Sequence, residues 1–566
     1  MKTNNKITGA QAVIRSLLAE GVETMFGYPG GAIMPVYDAL YDYQDQLQHI
    51  LVRHEQGAVH AAQGFARASG KVGVCIATSG PGATNLVTGL ADALIDSTPI
   101  VCVTGQVSSK LLGTDAFQET DVMSISMPVT KWNVQVTRAE DIPAAFAKAF
   151  FIARSGRPGP VLIDVTKDAQ FEKMNFSYQK CEKVRSYVPK PPLSEEKLRD
   201  AALLLNNAKK PFMLVGQGVV LSGAENELLE FAEKSGMPVA CTLLGLGTFP
   251  CSHPNYAGML GMHGNYGPNV KTNECDVLFA VGMRFDDRVT GDLSRYAKQA
   301  KVVHVDIDAA ELNKNVKAQV AVHADAKEAL TGLLNLVNKR SHKDWLREFK
   351  KCEAVEHAKL AERSVQPDDE IRMSEVVHLL SQKMLGKGVV VTDVGQHQMI
   401  TARCYRYEKS KTNVTSGGLG TMGFALPAAI GAKAAMPEKQ VVAVIGDGGF
   451  QMTVQELGTI LQSKLAVKIV ILNNNFLGMV RQWQELFFEK RYSFTEMANP
   501  DFVALANAYG ILAHKVSKRS NLENEVKQML EHNGPYLLEV VVEKEANVFP
   551  MVPTGASVSE VLLEQN

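Results

Sequence analysis

Short runs of β-branched apolar residues recur along almost the whole chain, and most of them stop abruptly on glycine, aspartate or asparagine. "VVAVIGDGGF" (residues 441–450) is the sharpest case, an apolar run that ends on Asp447 held between glycines. Runs of this kind read as strands buried on both faces, and stretches with helical spacing lie between them. The alternation predicts parallel α/β layers. A chain of 566 residues exceeds what one hydrophobic core serves, and its 46% hydrophobic content can fill three.

In the first third the strand-like runs are "HILV", "VGVCIAT" and "IVCVTG", with helices starting near Glu55 and Pro81. The charged, proline-bearing tract "EKMNFSYQKCEKVRSYVPKPP" then sets a boundary near residue 185. "PFMLVG", "VLFAVG" and "KVVHVDID" follow as strands of a second α/β region, which gives way to the charged helical tract "SHKDWLREFKKCEAVEHAKLAERSVQPDD", read as a second linker. The last third alternates again through "GVVVTDVG", "VVAVIGDG", "VKIVILNNN" and "YLLEVVV", so the first and last thirds have similar architecture.

Charge and cysteine usage narrow the class. With 59 basic and 60 acidic residues the chain has no footprint of a nucleic-acid binder. The eight cysteines are scattered without a C-x-x-C pair, as expected of reduced thiols in a cytoplasmic protein. The N-terminus lacks a basic-then-apolar leader and enters a helix that Thr8 can cap. Residues 72–91 carry no charge, but Pro81, Asn85 and several glycines argue against a membrane span.

Three motifs invite other readings. "GLGTMG" (Gly418–Gly423) has the letters of a dinucleotide fingerprint, yet it follows the polar "TNVTSG" rather than a clear strand and lacks the later acidic partner. A tight phosphate-side loop suits it better. "RHEQGAVH" has Ala58 where a zinc motif needs histidine, and no P-loop occurs.

In open α/β sheets ligands sit beyond the carboxyl ends of the strands, where glycines admit a phosphate to the backbone. A carboxylate at that point, Asp447 among Gly446, Gly448 and Gly449, suits a cation. The next run ends on Asn474, 27 positions after Asp447. Two strand ends then offer hard oxygen ligands to one point, as magnesium bound with phosphate requires. An isolated G-D-G is as easily a helix cap, and the second strand end tips the reading.

Gly446-Asp447-Gly448 with Asn473-Asn474 resembles the signature of thiamine-diphosphate enzymes. Joined to "GYPGG", "RHEQGA", "SGPGATN", "GTDAFQET", "RFDDRVTG", "GGLGTMGFALPAAIGA" and "LGMVRQW", it resembles the catalytic subunits of the acetohydroxyacid (acetolactate) synthase family over nearly the whole chain. The resemblance implies three α/β domains of the thiamine-diphosphate-binding fold: residues 1–185 for the pyrimidine, 190–340 FAD-binding-like, and 370–566 for the diphosphate and Mg2+. Glu55 corresponds to the glutamate that favours the reactive tautomer of the pyrimidine. Gln396, His397, Gly478 and Met479 would lie near the diphosphate, Gly420 and Met422 would support the bent cofactor, and Asp447, Asn474 and the Phe476 carbonyl would hold the metal. Phe117 and Gln118 match residues close to the reacting centre, Lys131 a more peripheral one. Arg288 matches the residue that meets the second substrate's carboxylate, a task suited to a bidentate guanidinium, and Trp483 the indole against its alkyl group. Arg157, Gly216, Thr242, Leu243, Leu260, Gly261, Met262, His263, Gly282, Arg284, Asp286, Arg288, Asp306, Ile307 and Asp325 match the pattern that holds a structural FAD.

The implied reaction decarboxylates pyruvate and joins the remaining two-carbon unit to a second pyruvate or to 2-oxobutyrate, in valine, leucine and isoleucine synthesis. Glu55 and Asp447 lie almost four hundred residues apart yet are assigned to one cofactor, so the resemblance implies a homodimer or a dimer of dimers, with a separate small regulatory subunit. The sequence contains no His-His pair, unlike pyruvate decarboxylases. A flavin-redox pyruvate oxidase is the competing enzyme, and a non-catalytic 2-oxo-acid sensor the competing binding protein.

Overall fold

The structure, a computed structural model, describes residues 6–363 and 370–564. The chain ends and the close of the second charged tract, residues 364–369, lie outside the described residues. Among the described residues three six-stranded sheets, all parallel, are each flanked by helices, and Ile7–Thr8 pairs with Lys173–Met174 in a small antiparallel sheet. Counted in chain order within each sheet, the strands of the first and third run 2-1-3-4-6-5, and those of the second 3-2-1-4-5-6. The first and last thirds therefore share one topology, as their sequence pattern predicts.

The strand order fixes where a ligand can enter, because a crevice opens where neighbouring connections diverge. In the third sheet that point lies between Val389–Thr392 and Val441–Gly446, whose ends carry Asp393 and Asp447. In the second it lies between Pro211–Val215 and Val277–Val281, followed by Gly216 and Gly282.

One expectation is corrected. "TNVTSG" does contain a strand, Asn413–Thr415, at the edge of the third sheet. It reads as polar because the Thr415 hydroxyl accepts from Thr392 Oγ1 and Gln398 Nε2 at 2.8 Å each instead of contributing an apolar side chain. The charged tract after residue 341 is helical as its pattern predicts, Lys343–Arg363, and it packs on the second domain as well as linking, since Trp345, Phe349 and Cys352 recur at helical spacing and are buried there. Among the edge strands the sequence runs mark Gln48–Leu51, through "HILV", but not the other five, and they miss the buried Pro160–Thr166. Thr8 caps the helix Gly9–Ala19 in a capping box with Gln11.

The first and third domains share a core. The helix Glu55–Ser69 lies on the helix Ala425–Ala435 at backbone contact: a Cβ on Gly64 would stand 2.0 Å from Ala428 O, and one on Gly431 1.8 Å from Ala61 O. Only glycine permits that approach. Among the described residues no helix is long and apolar enough to cross a membrane.

Candidate active site

At the third sheet's crevice, Asp447 opens the helix Asp447–Met452 and is buried. Its Oδ2 accepts from Asn499 Nδ2 at 2.6 Å, and burial raises its pKa above the ordinary carboxylate value. A buried carboxylate met by amides rather than by a lysine or arginine is what a cation site needs before the cation arrives. Val467–Asn473 is hydrogen-bonded beside Val441–Gly446, so Asn474 arrives next to Asp447 as the two strand ends predict. Asn474 Oδ1 accepts from Phe476 N at 3.1 Å, and its amide reaches Gln396 Oε1 at 3.4 Å. Phe476 itself turns its ring under the Arg481 guanidinium, 5.1 Å from the ring centre.

Glycines clear the space between these groups. A Cβ on Gly478 would lie 2.2 Å from Gln396 Oε1, one on Gly446 3.0 Å from His397 Nδ1, and one on Gly448 3.8 Å from the Met422 methyl. Gln396, His397, Met422, Gly446 to Gly449, Asn474 and Gly478 are thus brought to one cradle. Two members escaped the sequence reading. Asp393 pairs with His397 Nε2 and accepts from Gly423 N at 3.0 Å, orienting the ring and tying down the loop before the helix Ala425–Ala435. Its i, i+4 spacing to His397 was the available signal. Asn499, 52 residues after Asp447, left none.

Glu55 is the first residue of its helix and is buried. Asn85 Nδ2 donates to its Oε2 at 2.9 Å, and Gly82 leaves its Oε1 free of a side chain, since a Cβ there would stand 3.2 Å away. Arg53 does not pair with it; its guanidinium turns to Gly458 O at 2.9 Å and Gln462 Oε1 at 2.8 Å, and its backbone N–H to Glu456. Gln118 stands at φ 59 and Phe117 is 88% exposed. Lys131 is not brought to these residues: its ammonium donates to Ile152 O at 2.5 Å and Ser155 O at 2.8 Å, closing the end of the helix Ile142–Arg154. Burial lowers its pKa to about 8.

A cavity of about 670 Å3 runs from the second sheet's crevice to the third domain. Its walls include Arg157, Thr242, Leu243, Leu260 to His263, Gly282, Arg284, Asp286, Asp306, Ile307 and Asp325, and at the far end Arg288, Gly420, Met479 and Trp483. Gly216 stands behind them, where a Cβ would meet Gly282 O at 2.3 Å. Arg157 Nη1 lies 3.1 Å from Asp308 and Glu311, while Asp325 caps the helix Ala326–Leu334. Burial pushes Asp306 up to about 6 and His263 down to about 4. Asp286 caps the helix Asp287–Thr290, which leaves the half-exposed Arg288 with Met262 Sδ at 3.4 Å and Asp287 at 3.7 Å as neighbours. Glu55 is not among the residues lining this cavity.

This arrangement defines a thiamine-diphosphate enzyme, and family models agree over all three domains. Residues 7–125 match the thiamine pyrophosphate enzyme N-terminal TPP binding domain, 198–333 the central domain, and 393–540 the C-terminal TPP binding domain. The acetolactate synthase isozyme 2 large subunit of Escherichia coli is 49% identical over 98% of this chain and 99% of its own. The acetolactate synthase large subunit of Corynebacterium glutamicum is 46% identical, covering 98% and 90%, and that of Lactococcus lactis 44%, covering 99% and 97%. The chain belongs to the acetolactate synthase large-subunit family.

Proposed function

We propose that this chain, with thiamine diphosphate and Mg2+ bound, condenses pyruvate with a second 2-oxo acid, pyruvate or 2-oxobutyrate, to 2-acetolactate or 2-aceto-2-hydroxybutyrate. The observation that carries the reading is the pairing of a buried, amide-held Asp447 and Asn474 at adjacent strand ends with a cavity that gathers Arg288 and Trp483. The donor set fits the metal, since one carboxylate, an amide oxygen and the Phe476 carbonyl leave positions for phosphate oxygens. Gln396, His397, Gly478 and Met479 line the diphosphate end, and Gly420 and Met422 the thiazolium end. Bound thiamine diphosphate supplies the nucleophilic carbon and electron sink for decarboxylation.

The remaining steps belong to this chain's residues. Glu55, held by Asn85, keeps a proton at the pyrimidine nitrogen. Arg288 meets the second substrate's carboxylate, and Trp483 covers its alkyl group. Phe117 and Gln118 close over the reacting centre, and Lys131 acts at a distance by holding its helix end. Glu55 serves the partner's cofactor in a homodimer or dimer of dimers, a reading supported by the exposed Phe117, Met127 and Phe494. The domains divide at 1–185, 190–340 and 370–566. FAD occupies the cavity of the second domain as a structural group, with Arg157, Asp306 and Asp325 at its walls. A small regulatory subunit completes the enzyme, as the relatives' description as large subunits suggests, and the chain acts in the cytoplasm.

The test is acetolactate formation after the flavin is exchanged for a redox-dead analogue. An unchanged rate supports carboligation with a structural flavin. Loss of turnover, with pyruvate-dependent bleaching of the native protein, supports a pyruvate oxidase instead.

A further inference from the structure

The helix Val87–Ile95 ends on two carboxylates, Asp92 and Asp96, whose side chains are fully buried. Anions at a helix C-terminus face the negative end of its dipole, and burial adds a desolvation cost. They do not serve that helix, so their compensation must come from elsewhere. Arg67, near the end of the helix Glu55–Ser69, brings Nη2 to 2.9 Å from Asp96 and 3.6 Å from Asp92. Burial, with Asp96 beside it, pushes the Asp92 carboxyl up to about 6, as expected when two carboxylates share one guanidinium.

The other partners lie in one loop of the third domain. Asp96 accepts the N–H groups of Gly417 at 2.8 Å and Gly418 at 2.7 Å. Asp92 Oδ1 accepts from the Ser416 hydroxyl and from Thr421 Oγ1 at 3.0 Å, and Ser416 Oγ accepts from Thr421 N at 2.8 Å. Arg67 Nη1 donates to Thr415 O at 2.6 Å, and its guanidinium lies 5.4 Å from the centre of the Phe424 ring. The loop is also tightly seated, since a Cβ on Gly418 would come 2.9 Å from Asp96 Oδ1 and one on Gly417 2.8 Å from Leu244 Cγ. Both ends of the segment that carries Gly420 and Met422 are thereby fixed by the first domain.

We propose that Arg67, Asp92 and Asp96 are positioning residues that lock the loop from Thr415 to Phe424 in the conformation presenting Gly420 and Met422 to thiamine diphosphate, an inference that rests on the cofactor role assigned to Met422 above. Their charges are spent on the loop and do not reach the substrates. A ligand's apparent affinity falls with the fraction of molecules whose site is already formed. Loosening the latch therefore weakens cofactor binding, whereas saturating cofactor selects the formed loop and restores turnover.

The experiment compares the full-length parent chain with Asp96→Asn and Ser416→Ala. Hydrogen exchange is measured on the cofactor-free protein across residues 415–424, with calorimetric titration of thiamine diphosphate in the presence of Mg2+. Asp96→Asn turns a donor toward the loop amides, and Ser416→Ala removes the bonds to Asp92 and to Thr421 N while leaving every charged group in place, so the second decides if the first fails to fold. Both variants are expected to exchange faster in this loop. A loop formed one-tenth of the time gives a dissociation constant about tenfold higher, with kcat recovered at saturating cofactor. Unchanged exchange overturns the latch. Faster exchange with unchanged cofactor affinity overturns the positioning role and places the error in the assignment of Met422.

Discussion

Asn499 Nδ2 donates to Asp447 Oδ2 at 2.6 Å and lies within 3.0 Å of the amide oxygens of Asn473 and Asn475. One amide thus joins both strand ends that carry the candidate metal ligands. Removing the partner of a metal-binding carboxylate typically costs 10- to 100-fold in metal affinity. Asn499→Ala should therefore raise the Mg2+ concentration needed for half-maximal thiamine diphosphate binding by about 10- to 100-fold. Equal half-saturation in parent and variant would remove Asn499 from the site.

The contact between the helices Glu55–Ser69 and Ala425–Ala435 depends on bare backbone, because a Cβ on Gly431 would stand 1.8 Å from Ala61 O. Gly431→Ala is expected to destabilise the chain by about 1–3 kcal/mol, the usual cost of overpacking. Gly31→Ala, where a Cβ meets nothing within 4 Å, should stay within about 0.5 kcal/mol. Urea unfolding of the two variants checks both, and equal midpoints would mean that the helices part easily.

His60 is fully buried against the Phe424 ring, and burial, with Arg67 adding to it, lowers its pKa from 6.5 to about 3. The folded chain keeps it neutral where the unfolded chain takes up a proton. Its contribution is therefore intact above pH 6.5 and declines as the pH falls from there toward 3. The slope reaches about 1.4 kcal/mol per pH unit for one proton. Unfolding free energies of His60→Gln, followed downward from neutral pH, should fall less steeply than the parent's by up to that amount. Parallel curves would show that His60 titrates normally in the fold.

Trp483 shares its cavity wall with Arg288. One methylene in an apolar pocket discriminates by roughly 1–3 kcal/mol, so Trp483→Leu should reduce the preference for 2-oxobutyrate over pyruvate as acceptor by about tenfold or more. Pyruvate self-condensation should be largely retained. Competition of both acceptors at fixed pyruvate gives the ratio, and an unchanged ratio takes Trp483 off the acceptor side.

The parallel layers were legible because buried strands such as Val441–Gly446 are uniform apolar runs, and because Asp447 and Asn474 end adjacent strands as their sequence positions imply. Asn413–Thr415 was hidden since a short edge strand whose one threonine hydrogen-bonds sideways carries no apolar signature. Asn499 and the pair Asp92 and Asp96 were hidden for another reason. Their partners lie 24 to 329 positions away, and no local spacing records such contacts. Lys131 shows the reverse case, a residue placed by resemblance whose side chain closes a helix end.

The central claim is carboligation driven by thiamine diphosphate, with Glu55 as the residue that readies the cofactor. It is tested most directly by following pyruvate, carbon dioxide and acetolactate in the purified parent and in Glu55→Gln, with and without thiamine diphosphate and Mg2+. The parent should release one carbon dioxide for every acetolactate formed, and only with both cofactors present. Glu55→Gln should stay folded and lose about 100- to 10,000-fold in turnover, the usual loss when proton-transfer help is removed. Pyruvate bound without carbon dioxide release, or a Glu55→Gln rate within a few-fold of the parent, would contradict the account.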